Sequence, residues 1–209
     1  MYRSHLKHFF DVVLAAAALC CLAPLMALLC VSGAVCLRGT PFFTQVRIGK
    51  DEKPFRPLKF RSMTDRRDAA GCLLPDEDRL TRYGRFLRKT SLDELPELLN
   101  IIKGDMSLVG PRPLLPEYLP FYTAQERVRH TVRPGLTGLA QINGRNAFKS
   151  WDERLAYDVA YVRRYGFLFD CRIVAVTVFR VLRRESVLSG KEITAGRLDE
   201  VRSCHTPCE

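Results

Sequence analysis

The chain begins with a long apolar run. Val12 to Leu37 is a stretch of 26 residues without a charge, whereas a helix needs roughly 20 to cross the hydrocarbon core of a bilayer. The run predicts a membrane-inserted helix. It exceeds the h-region of a cleaved signal peptide, about 7–15 residues, although Ser32, Gly33 and Ala34 imitate the small residues of a cleavage site. Pro24 stands at its middle, where the ring removes a backbone donor and clashes with the preceding turn. Arg3 and Lys7 precede the run, and Arg38, Arg47, Lys50, Lys53, Arg56, Lys59 and Arg61 follow it. Positive flanks prefer the cytoplasmic side. A helix broken at Pro24 that enters and returns puts both flanks there; a single kinked span is the alternative.

After the run the pattern shortens. Residues 41–62 read as short strands around a polar turn at Gly49 to Lys53. Residues 65–80, with Gly71 and Pro75, read as an exposed loop. Thr81 to Lys89 is basic and partly helical. Leu95, Leu98, Leu99, Ile101 and Ile102 have helical spacing, and Gly104 supplies the C-terminal stop. Pro111, Pro113 and Pro116 rule out regular structure over 104–116, and 117–130 reads as a helix. Arg133-Pro-Gly135 and Asn143-Gly-Arg145 are turns around a strand-like stretch, Leu136 to Ile142. Trp151 to Tyr165 alternates charged and apolar residues as a surface helix does. Phe167 to Leu182 is apolar but interrupted by Asp170, Arg172 and Arg180. It fits an interfacial helix whose arginines meet anionic headgroups or, equally, a core helix. The resulting fold is mixed α/β and mainly helical. Residues 1–38 form a membrane helix, 39–190 a small cytoplasmic catalytic domain with short strands and interfacial amphipathic helices, and 191–209 a polar, mobile tail.

Charge narrows the partners. The net charge of +10 and pI of about 9.4 call for an anion: nucleic acid, lipid headgroups or a phosphorylated substrate. The eight cysteines show no disulfide framework. Four lie in the apolar run as small hydrophobes, and Cys204, His205 and Cys208 lack the second cluster of a four-ligand metal site.

The sharpest chemical feature is Arg88-Lys-Thr-Ser-Leu-Asp93-Glu94, in which two cations lead into adjacent carboxylates at a helix start. A capping box from Ser91 to Glu94 is the structural explanation. Pro96 weighs against it and favours Asp93 as the cap, with free amides stabilising its ionised form. An ionised carboxylate is what a nucleophile at phosphorus must be. Lys59, Arg88, Arg112 and Arg145 lie beside turns or helix starts and suit phosphate oxygens; singly, each also reads as a solvated cation. A pyrophosphate donor would bring a divalent cation held by few carboxylates and several waters. No Rossmann or P-loop fingerprint is present.

Three stretches, KFRSM at 59–63, TSLDELPELLNIIKGDMSLVGPRPLLPEY at 90–118 and VRPGLTGLAQINGRN at 132–146, resemble the monotopic phosphoglycosyl transferases, the bacterial sugar transferase family, in its minimal single-domain form. The resemblance spans about residues 1–190. It implies a re-entrant helix broken at Ala23-Pro24, a monotopic enzyme on the cytoplasmic face of the bacterial inner membrane, and a catalytic dyad at Asp93 and Glu94. It also implies that Asp93 attacks the β-phosphorus of a UDP-sugar, releases UMP and passes the phosphosugar to undecaprenyl phosphate. Mg2+ is expected, with Asp93 as its protein ligand. Lys59, Arg88, Arg112 and Arg145 are expected to bind phosphate, and Asp158 to lie in or near the site. The minimal members point to an N-acetylated amino or diamino sugar; priming of exopolysaccharide or O-antigen with another UDP-hexose is the alternative. Family members often have Ser before the proline, where this chain has Ala23. Anionic lipids are expected partners, and a membrane-associated homodimer is left open. A nucleic-acid-binding protein accounts for the charge but for neither the apolar run nor the dyad, and the intact dyad weighs against a non-catalytic adaptor.

Overall fold

A computed structural model describes residues 2, 6–144, 148, 150–183 and 196–203. Its first element, α1 (Lys7–Leu37), is one 31-residue helix with Pro24 inside it, about 46 Å long at 1.5 Å per residue. It is long and apolar enough to cross a membrane. The expected break at Ala23-Pro24 is corrected: the chain stays helical through both residues. The proline removes a single donor, that toward the Cys20 carbonyl, and the surrounding turns keep theirs. Ser32 Oγ donates to the Leu28 carbonyl and Tyr83 Oη to that of Leu29.

One side of α1 carries exposed apolar residues, among them Phe9, Val13, Leu14, Leu28, Val31 and Val35. The other side rests on the domain along its length. Ala15 packs with Leu98, Ile101 and Met106, and Leu29 with Phe60 and Leu87. Near its start Asp11 accepts from Ser107 Oγ (2.6 Å) and the Leu108 amide (3.2 Å), while Lys7 Nζ donates to Asp170 (2.8 Å).

Short strands follow: β1 (Phe42–Thr44), β2 (Arg47–Ile48), β3 (Pro54–Phe55) and β4 (Leu58–Phe60). β1 pairs antiparallel with β4, Phe43 opposite Lys59, and β2 pairs with β3, Arg47 opposite Phe55. The loop at 65–80 contains one short helix, α2 (Asp76–Arg79), before α3 (Arg82–Thr90) and α4 (Glu97–Lys103). Thr81 caps α3, and Gly84 is packed so closely on the Ser62 carbonyl that any side chain there would collide with it. Gly104, at φ 92°, ends α4 as anticipated. The stretch 104–116, expected to be irregular throughout, holds a strand ahead of its prolines: β5 (Ser107–Val109) pairs in parallel with β6 (Gly135–Thr137).

Between β5 and β6 the expected helix at 117–130 is instead three short pieces. A 3-10 segment covers Pro116–Phe121, α5 covers Ala124–Arg127, and a second 3-10 turn covers Val128–Thr131. Pro120 and the capping box that starts α5 at Thr123 divide it. The stretch 136–142 is strand only to Thr137 and then becomes α6 (Leu139–Asn143). α7 (Trp151–Arg164) buries Trp151, Leu155, Asp158, Val159 and Tyr161, so it is a core helix with one solvated face. α8 (Phe167–Leu182) exposes Phe167, Leu168, Val174, Val178 and Phe179, which favours the interfacial over the core alternative.

The tail expected to be mobile is ordered over Gly196–Ser203. There α9 (Leu198–Ser203) buries Leu198 among Tyr118, Tyr122, Trp151 and Leu155. Arg202 bridges Glu126 and Asp152, and Trp151 Nε1 donates to the Gly196 carbonyl (3.2 Å). Its polar composition concealed an apolar anchor, Leu198, with Val201 packed beside it. Because Leu198 is fully enclosed, Leu198→Ala is expected to destabilise the domain by roughly 2–5 kcal/mol. Leu73→Ala, at an exposed position, should stay within about 0.5 kcal/mol. Thermal unfolding of the two variants checks the difference.

Candidate active site

The dyad does not sit where a helix cap would. α3 closes at Ser91, a non-glycine residue in the left-handed region (φ 57°) whose amide donates to the Arg88 carbonyl. The chain then makes a one-turn 3-10 helix, Leu92–Glu94, before α4. Pro96 occupies the N-cap position of α4, so neither Ser91 nor Asp93 caps that helix. The residue without an amide proton stands where none is needed, and a separate reversal presents the carboxylates.

Glu94 is the fixed member. Its Oε1 accepts from Lys59 Nζ (2.8 Å) and from Arg112 Nη2 (2.9 Å). Burial works against its charge, but Arg112 and Lys59 together hold the carboxyl well below the usual glutamate range. Glu94 in turn raises the Arg112 guanidinium further above its ordinary value. Asp93 differs: its carboxylate accepts no hydrogen bond among the described residues. Burial, and then the neighbouring Glu94 charge, push its pKa up, against the pull of Lys59, Arg112 and Arg88. The expectation that free amides would lower its pKa is therefore reversed, because those amides lie in a different turn.

Each phosphate-binding candidate that is described lies at this centre. Lys59 on β4 also reaches Glu97 Oε1 (3.1 Å). Arg88, in the last turn of α3, donates from Nε to Ser62 Oγ (3.0 Å), and its charge acts on Asp93. Arg112 comes from the proline loop after β5. Arg145 lies outside the described residues, as do Cys204, His205 and Cys208. Asp158 is one step removed. It is buried on α7 and pairs with Arg129 (2.9 Å), whose Nη2 donates to the Arg112 carbonyl (2.6 Å). Asp158 thus supports the backbone that carries Arg112.

Sequence reading missed Glu97, Asn100 and Arg129. Asn100 accepts from the Leu58 amide and donates to the Arg56 carbonyl, both at 2.9 Å, fixing β4 and hence Lys59 against α4. Glu97 follows Glu94 by three residues, a spacing that places two side chains on one helical face; that was the available signal. Arg129 gave no local signal, since its partners are 29 and 17 residues away. A cleft with about 180 Å³ of room opens beside these groups, lined by Lys59, Glu97, Arg112, Tyr118, Trp151 and Arg154 among others.

For a divalent cation the relevant observation is the set of free oxygens. Both Asp93 oxygens and Glu94 Oε2 lack a protein donor among the described residues. Among the described residues, no group of three or more His, Cys, Asp or Glu is placed to hold a metal ion. One or two carboxylates completed by waters and substrate phosphates is the arrangement Mg2+ favours.

Burial, then the Glu94 charge, raise Glu97 to about 7 despite Lys59. A carboxyl raised from 4.5 to about 7 on folding contributes nothing adverse below 4.5 and destabilises increasingly as pH rises to 7. Glu97→Gln removes that term. Relative to wild type, the variant should gain stability between pH 4.5 and 7 by on the order of a few kcal/mol, read as a difference in Tm that grows with pH.

Comparison with known proteins identifies the family. Residues 2–184 match the bacterial sugar transferase family. The chain is 52% identical to a Bacillus subtilis protein named "Uncharacterized sugar transferase EpsL", over 92% of this chain and 95% of that one. It is 41% identical to "Exopolysaccharide production protein ExoY" of Sinorhizobium fredii, over 82% and 83%. It is 36% identical to a "UDP-glucose:undecaprenyl-phosphate glucose-1-phosphate transferase" of Klebsiella pneumoniae, over 83% of this chain but only 39% of that longer protein. A match over nearly the whole chain, with a half-buried dyad set among cations at its centre, makes this protein a member of the bacterial sugar transferase family.

Proposed function

We propose that the chain transfers a sugar 1-phosphate from a UDP-sugar to undecaprenyl phosphate through a covalent intermediate on Asp93. The observation that carries this reading is the division of labour in the dyad. Glu94 is held ionised and immobile by two cations, while Asp93 keeps both oxygens free beside Lys59, Arg88 and Arg112. An Asp93 oxygen forms a bond to the β-phosphorus. The bond from that phosphorus to the bridging oxygen breaks, the electron pair goes to the bridging oxygen, and UMP leaves. A phosphate oxygen of the lipid carrier then attacks the same phosphorus, and the Asp93 carboxylate departs. Lys59, Arg88 and Arg112 offset the charge on the phosphoryl oxygens through both steps. Asp93 and Glu94 are the residues that would hold Mg2+, whose Lewis acidity would neutralise diphosphate charge.

The names of the Klebsiella and Sinorhizobium relatives support exopolysaccharide priming with a UDP-hexose over transfer of an N-acetylated amino sugar. For the membrane arrangement we favour the domain on the cytoplasmic face. Both ends of α1 rest on one domain, Asp11 against β5 and Gly33 against Tyr83 and Pro41, and both flanks are cationic.

Asp93→Asn should lower UMP release by about 10³-fold or more and abolish a phosphosugar adduct on that residue detectable by mass spectrometry. Normal turnover in the variant would refute the covalent route. Because Asp93 must be ionised to attack and its pKa is raised, kcat/KM for the donor should fall on acidification through a value above the usual 3.8 of aspartate. An initial-rate pH profile checks this.

A further inference from the structure

The cleft beside the dyad holds more positive charge than its acids neutralise. Arg112 pairs with Glu94, Lys59 with Glu94 and Glu97, and Arg129 with Asp158. Arg47 and Arg154 line the same cleft. Neither has a carboxylate within 4.0 Å among the described residues.

Arg154 stands four residues before Asp158 on α7, a spacing at which the two would ordinarily pair. Asp158 Oδ2 is already occupied by Arg129 Nε (3.1 Å) and Nη2 (2.9 Å). Arg154 lies instead over the Trp151 ring, 5.0 Å from its centroid. Arg47 Nη2 reaches only the neutral side-chain oxygen of Gln45 (2.8 Å). Burial, opposed in part by Asp158 and reinforced by Arg112 and Arg129, brings Arg154 down to about 10. Burial and then Arg112 also lower Arg47. A desolvated guanidinium without an anion is unfavourable, and two facing one cleft call for a ligand that supplies the charge. Tyr118 and Trp151, packed edge to face at 5.4 Å, give the same cleft an aromatic wall. An anion attached to a flat ring suits these surroundings.

We propose that Arg47 and Arg154 form a second phosphate subsite that grips the phosphate departing with the nucleoside, while Lys59, Arg88 and Arg112 serve the phosphate attacked by Asp93. The proposal rests on the reading of a nucleoside diphosphate sugar as donor. When the bond to the bridging oxygen breaks, that oxygen keeps the electron pair and the nucleoside monophosphate gains a negative charge. Two planar donors aimed at its phosphate stabilise that charge as it forms.

The test is UMP binding to the full-length protein in detergent, by calorimetric titration. Arg47→Gln and Arg154→Gln are each expected to raise the Kd for UMP by about tenfold or more, the equivalent of one charge-assisted hydrogen bond. Arg154→Lys, which keeps the charge, should recover part of the loss. UMP affinity unchanged in both glutamine variants would overturn the proposal. So would inorganic phosphate binding wild type as tightly as UMP, because the nucleoside would then contribute nothing. The two substitutions fall on separate elements, so if Arg154→Gln does not fold, Arg47→Gln decides the question alone. Formation of the Asp93 adduct from UDP-sugar is read separately. An adduct with undiminished UMP binding in the variants rejects the subsite and leaves the function standing. Weakened UMP binding without any adduct in wild type keeps the subsite and rejects the covalent function.

Discussion

Glu94 is an ionised carboxylate taken out of water, and such a group is tolerable only when cations and hydrogen bonds replace the water it gives up. Lys59 and Arg112 do so through a single oxygen, and each belongs to a different part of the chain. Satisfying Glu94 therefore requires β4, the 3-10 turn after α3 and the proline loop after β5 to meet at one point. Much of the neighbouring structure serves that meeting. Asn100 fastens the backbone on either side of Pro57, just ahead of Lys59, and Arg129 fastens the backbone of Arg112. Asp158 in turn keeps Arg129 neutralised. Lys59 and Arg112 are then engaged with Glu94, and Asp93 is left with both of its oxygens free among the described residues.

What could be read from the sequence follows from how local the cause was. The apolar run needed no neighbours to be recognised, and α4 announced itself by spacing and by Gly104. Lys59, Arg112, Asp93 and Glu94 lie together because they belong to stretches that resemble a family, which carries tertiary information that spacing lacks, and Arg88 lies two residues before the second of those stretches. Bottom-up reading alone left each cation as a surface charge. The errors have the opposite character. The cap assigned to Asp93 assumed that α4 began at the first plausible residue, whereas a left-handed Ser91 inserts a separate turn. The 117–130 helix was lost to Pro120 and the Thr123 cap. The tail looked unstructured because one leucine, Leu198, carries its docking and its cavity is built by residues more than 40 positions away. Arg129 and Asn100 could not be found locally, since their roles are defined entirely by distant backbone groups.

The relation between α1 and the site has a consequence for how such an enzyme meets a lipid substrate. α1 packs on both flanks of the candidate site: its first half lies against α4 and β5, and its second half against β4 and α3. Those are the elements that bear Glu97, Lys59 and Arg88. Its opposite side is apolar and exposed, and burying that side in lipid is favourable by roughly 25 cal/mol per Å2. On the proposed reading, insertion orients the domain as well as retaining it, because the helix and the site share packed side chains and cannot turn independently. On the proposed reading the acceptor's phosphate lies at headgroup depth while its tail stays in the bilayer. A nucleophile serving that phosphate must be held at a fixed height, and a flexible tether would not hold it there. The pairs Lys7–Asp170 and Asp11–Ser107 make the helix part of the domain's own structure, which supplies that fixed height.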